Sequence, residues 1–208
     1  MNTPQAIPAH YRATVTEFCR HEAGHLIIAK ALGFRTGEVR MQIVDLRRGH
    51  SGGSSIRLDA AFESLEEVRC YLRNRVQILY AGVLAQSLQN GKVRGEFAVD
   101  LTKFSAKDDH SKIRELVHVL RNISYAGQFS KDEIQIQLTE LDLELFNASA
   151  ELVEKESEYI LGIANRLSSE LKYVGQDFTL TGEQIALLPS IAERFGPLTV
   201  SDALGPES

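Results

Sequence analysis

A chain of 208 residues that is 43% hydrophobic and 25% charged has the make-up of a globular domain, which excludes a wholly disordered polymer. Lys and Arg number 23 against 28 Asp and Glu, for a net charge of −5. That balance argues against nucleic acid or an anionic membrane as the main partner.

Residues 1–13 are polar, carry Pro4 and Pro8, and read as a loose leader. Met1 to His10 show no basic segment followed by an apolar stretch, so no secretory signal is expected. No apolar run approaches the roughly 20 residues that span a bilayer. The two cysteines, Cys19 and Cys70, lack metal-site spacing and read as small buried hydrophobes in a reducing compartment. A cytoplasmic location without membrane insertion is expected.

Thr14-Val15-Thr16-Glu17 fits a capping box, and the helix it opens runs to Leu32, with Gly33 placed for a left-handed cap. Val39, Met41 and Ile43 then alternate with Arg40, Gln42 and Val44, the period of a strand. Residues 47–53 read as a flexible connection, with Ser54 to Leu58 pairing back. Ser64-Leu65-Glu66-Glu67 predicts a second capped helix, through Leu72, Val76 and Leu79 to a stop at Asn90-Gly91. Residues 91–107 read as a loop. A third helix starts around Asp108 and Asp109, and Ser130 to Glu133 open a long helical pattern lasting to about Tyr173 with one break near Asn147. Thr181 to Gln184 cap a last short helix that Pro189 interrupts. The fold class is mainly α, an α+β arrangement with one small sheet. One domain over residues 14–195 is expected, with a flexible tail over 196–208.

The chemistry lies in the first helix. His21-Glu22-Ala23-Gly24-His25 is an HExxH motif, and four helical residues advance about 400°, so both imidazoles share one face and can bind one metal ion. Glu22 can then take a proton from a water that zinc has acidified, as that water attacks a carbonyl. A third ligand is required. The metzincin extension needs Gly at position 28 and His at 31, where Ile28 and Ala31 stand, so that subclass is excluded. Among the carboxylates and histidines further along, the cluster Asp108-Asp109-His110 stands out, although carboxylates also stabilise helix starts. Asp100, His50 and His118 are weaker candidates.

These residues resemble the peptidase domain of the FtsH family, ATP-dependent zinc metalloproteases. His21 to His25 match that family's HEAGH. Glu38 to Gly53 is similar to the strand and glycine-containing segment that follows it. Leu79 to Leu88 resembles the LAGRAAEEL helix, and Phe178 to Ile185 the ETLDGEEI segment. The resemblance runs from about Thr14 to Ala192 and implies a zincin-type helical fold. Matching Asp109-His110-Ser111-Lys112-Ile113 to the family's SNDL stretch implies that Asp109 is the third zinc ligand beside His21 and His25, with Glu22 as general base. Asp108 and His110 replace the family's Asn and Leu, which keeps Asp108 as the next candidate. The resemblance also implies that Val39 to Val44 is an edge strand that receives substrate by pairing.

No GxxxxGK[ST] motif is present, so no ATPase module is expected in this chain. The expectation is a stand-alone zinc endopeptidase for unfolded or flexible polypeptides, with a separate unfoldase or further copies of the chain as partners. The alternative is a non-catalytic metal-binding regulatory or adaptor module.

Overall fold

A computed structural model of the chain describes residues 4–47, 49–104 and 107–196. The expected tail, from residue 197 onward, lies outside the described residues, as do the first three residues of the expected leader and Arg48 of the expected connection. Among the described residues no helix is long and apolar enough to cross a membrane.

The centre of the fold is α1 (Arg12–Ala31), in which every residue from His21 to Ala29 is buried. A helix buried all round must be enclosed by other elements. Here α2 (Leu65–Gln86), α6 (Ser157–Glu170) and a small sheet surround it. Gly24 allows the closest approach, since a Cβ there would lie 2.5 Å from the Ala81 carbonyl oxygen. The helix ends as the sequence predicts. Gly33 adopts φ +82°, and the Gly33 and Phe34 N–H groups donate to the Lys30 and Ala29 carbonyls, a Schellman closure.

Its start differs from the expected capping box. A 3-10 turn at Ala9–Tyr11 feeds directly into Arg12, so Thr14 and Glu17 lie inside the helix and cap nothing. The expected leader is likewise held from Gln5 onward. The Ile7 N–H donates to Lys172, the Gln5 carbonyl accepts from Val174, and Ile7 is buried.

The sheet is antiparallel in the order β2-β1-β3, formed by Gly49–Ile56, Thr36–Asp45 and Asp177–Leu180. Val39, Met41 and Ile43 face the core with no exposure, as their alternation predicts. Two expectations are corrected. β1 is the central strand rather than an edge, because β3 pairs along its second side. The expected connection over 47–53 is already strand from Gly49 onward, since ladder bonds come from the backbone and need no apolar side chains there.

Helical boundaries shift as well. The α2 helix starts after Ser64, whose hydroxyl accepts from the Glu67 N–H, and ends before Ser87. Asn90 and Gly91, both with positive φ, instead form a two-residue turn closed by reciprocal Gln89 and Lys92 bonds. The expected loop over 91–107 contains a helix, α3 (Gly95–Phe104). α4 spans Lys107–Ser124 and α5 spans Lys131–Lys155. The break between α5 and α6 falls at Glu156 rather than Asn147, where a buried Glu156 carboxylate receives two bonds from Arg194. Capping boxes at Ser130 and Thr181 are present. α7 (Gly182–Ala186) and α8 (Pro189–Phe195) close the chain, with Pro189 at the first turn of α8. Cys19 is buried, whereas Cys70 is exposed, because it falls opposite the Leu72–Val76–Leu79 stripe of α2.

Candidate metal centre

α1 presents His21 and His25 one turn apart toward α2 and the first turn of α4. The Nδ1 of His25 donates to the Ile78 carbonyl at 2.7 Å, and that of His21 to Gln86 Oε1 at 3.2 Å. A carbonyl can only accept, so these bonds place the ring protons on Nδ1 and turn both Nε2 lone pairs the other way. There the two Nε2 atoms are 3.1 Å apart. Asp109 Oδ2 stands 3.3 Å from that of His21 and 3.2 Å from that of His25.

Three electron-rich atoms at such spacing repel one another unless a cation lies among them. The spacing is also a metal's spacing, since ligands about 2.0–2.1 Å from a tetrahedral ion are about 3.3 Å from each other. His21, His25 and Asp109 are the group of described residues with ligand atoms converging in this way. Two imidazoles and a carboxylate suit zinc and other first-row divalent ions. The donors' partners on the far side fix ring orientation as metal-site histidines require.

The electrostatics agree. Burial alone disfavours charge on His25, but the Asp109 carboxylate, assisted by Glu22 and the Ile78 carbonyl, raises its pKa above the ordinary imidazole value. Burial disfavours charge on Asp109 too, yet a proton taken up at Nε2 of His21 or His25 would bond to its carboxylate, and this holds the carboxyl far below the usual range. The cluster favours a positive charge at its centre.

Two glycines make room. A Cβ on Gly82 of α2 would lie 2.7 Å from His21 Nε2 and still closer to His25. On Gly52 of β2, a Cβ would stand 3.2 Å from Glu22 Cγ and Oε1. The Ser54 hydroxyl donates to the Glu22 backbone carbonyl at 2.7 Å, tying β2 to the motif helix. Glu22, His21, His25 and Asp109 line one cleft of about 460 Å³, whose walls come from β2, α2 and the start of α4.

Of the residues singled out in the sequence, His21, His25 and Asp109 meet, and Glu22 shares their cleft. Asp108 lines the cleft but stays outside the ligand group. His50 stacks on Phe18 with ring centroids 4.1 Å apart, its Nε2 4.0 Å from Glu22 Oε1. Burial, with His21 nearby, lowers its pKa to about 4, so it is neutral near pH 7. Asp100 is exposed on α3, and His118 lines a separate hollow with His110.

Sequence reasoning assigned no role to Gln86, Gly82 or Arg75. Gly82 and Gln86 are four residues apart on α2, which places them on one face, and that spacing was the available signal. Arg75 lies on the same face with Ile78 and Leu79, and all three line the cleft. Burial lowers the pKa of the Arg75 guanidinium from its ordinary value, against the attraction of Tyr71 and Asp109. No protein-family model and no curated protein sequence matches this chain.

Proposed function

We propose that this chain is a zinc-dependent endopeptidase of the FtsH peptidase type, acting on unfolded or flexible polypeptides. The observation that carries this reading is the convergence of His21 Nε2, His25 Nε2 and Asp109 Oδ2 at 3.1–3.3 Å, with the Glu22 carboxylate in the same cleft. The HEAGH sequence and the similarity to the FtsH pattern add the reaction class.

His21, His25 and Asp109 would hold the ion. When bound, a divalent ion there supplies Lewis acidity, polarising a carbonyl and acidifying water. Glu22 follows the first ligand directly, and its carboxylate is the group placed to accept the water's proton. The same carboxyl then returns that proton to the leaving amine. Gly52 leaves the Glu22 side chain its space, and Ser54 anchors the backbone that carries it.

Substrate binding is reassigned from β1, whose two sides are both paired, to β2. That strand is an edge of the sheet, and its Gly52, Gly53, Ser54 and Ile56 line the cleft. A polypeptide that adds to such an edge is held by main-chain bonds and is accepted with little regard to side chain. Pairing requires an extended segment. Folded proteins would therefore need a separate unfoldase or capture by further copies of the chain, whereas disordered ones would not.

Chelation and metal restoration test the proposal. Hydrolysis of a permanently unfolded polypeptide should stop when metal is removed and return with one equivalent of zinc. Stoichiometric metal with no cleavage of any disordered substrate would replace this reading with a non-catalytic metal-binding module.

A further inference from the structure

The cleft carries more positive charge than the chain around it. Arg75, Lys107 and Lys112 line it against Glu22, Asp108 and Asp109. A bound divalent ion would leave it with two positive charges, in a chain whose net charge is −5. Two of the three carboxylates, Asp109 and Glu22, are committed elsewhere and do not offset the basic side chains. Asp109 faces the histidines, Glu22 faces the reacting water in the proposed chemistry, and Lys112 Nζ already lies 3.8 Å from Asp109 Oδ1.

Arg75 is the distinctive member. It is half-buried in the cleft wall, and among the described residues it makes no hydrogen bond or ion pair. A guanidinium has five donors in a planar fork suited to a carboxylate, and it stays charged at any working pH. Partly screened from water and without a protein partner, its guanidinium is a donor set open to an anion in the cleft. Its place on α2 gives the distance. Arg75, Ile78, Leu79 and Gly82 share one helical face, and seven residues at 1.5 Å place Arg75 about 10 Å along the axis from Gly82. An extended peptide covers that in about three residues.

We propose that Arg75, with Lys107 and Lys112 across the cleft, forms a subsite for a substrate carboxylate within about three residues of the bond to be cut. This deepens the peptidase reading and rests on it. The edge of β2 holds the main chain whatever its sequence, and the basic subsite adds selectivity for acidic segments. Two sources present the same group, an internal Asp or Glu side chain and the terminal carboxylate of a chain.

Binding, rather than turnover, tests this separately from the peptidase reading. The full-length Glu22→Gln chain, equilibrated with zinc, is titrated with short unstructured fluorescent peptides. One arm has an amidated end and a single Glu or Gln walked through the central positions. The other has no internal acid and ends in a free carboxylate or an amide. We expect at least one arm to favour the carboxylate peptide tenfold or more, and that arm names the source. Adding Arg75→Gln should bring the ratio to about one, Arg75→Lys should restore part of it, and added salt should shrink it. Equal binding of charged and neutral peptides, no measurable binding of any peptide, or a preference that survives Arg75→Gln would overturn the subsite. Wild-type cleavage of the same peptides reports on the peptidase reading separately.

Discussion

A Cβ placed on Gly82 would lie 2.5 Å from the Nε2 of His25. The α2 backbone therefore runs directly beside the converging lone pairs, and the position tolerates no side chain without moving an imidazole. Gly82→Ala should weaken metal binding at least 100-fold while leaving the helical circular dichroism spectrum intact. Competition against a chromophoric chelator measures the first. Wild-type metal affinity in Gly82→Ala would show that the imidazoles do not depend on this gap.

Gln86 accepts from His21 Nδ1 and has no other assigned task at the site. Removing such an outer partner generally costs about 10–100-fold in metal affinity. Gln86→Leu should fall in that range. Gln86→Glu, a better acceptor of similar size, should bind metal as tightly as wild type or more tightly. The reverse order, by the same competition assay, would rule out the proposed orientation of His21.

Metal affinity should rise with pH. A proton on His25 occupies the lone pair that a metal needs, and Asp109 and Glu22 raise that group's pKa above the ordinary imidazole value. The proton therefore competes up to a higher pH than it would at an unperturbed histidine, and the competition fades once pH exceeds the raised pKa. Asp109 stays ionised well into acid and contributes little to the slope near neutrality. Affinities measured across pH 5–9 (a range chosen about the ordinary His value of about 6.5) should increase and then level above that value. A flat profile would contradict the assignment of His25 as a ligand.

What was legible in the sequence was local. The HExxH spacing, the caps at Ser130 and Thr181, the Gly33 closure and the Val39–Met41–Ile43 alternation each depend on residues within one or two turns, and each stands in the fold. Contacts made across long separations were less legible. Asp109 reaches His21 across 88 residues, and only the family resemblance, not spacing, singled it out from Asp108. β3 is four residues long and pairs with β1 from the far end of the chain. Nothing near Asp177 signals that pairing, so β1 looked like an edge. β2 escaped in part because its glycines resemble a loop, although Gly52 is needed there to clear Glu22. Arg75 carries no sequence signal of its own, since only the fold shows that its face of α2 turns into the cleft.

The central claim is that one cleft both binds the ion and supplies the base, and parallel measurement of metal content and hydrolysis tests it most directly. Wild type, Glu22→Gln and His21→Ala should be assayed on one unfolded polypeptide after equilibration with zinc. The account predicts one bound ion and cleavage for wild type, and one ion with cleavage reduced at least 100-fold, the scale of a lost general base, for Glu22→Gln. His21→Ala should lose both. Cleavage by Glu22→Gln at the wild-type rate, or full metal retention by His21→Ala, would contradict it.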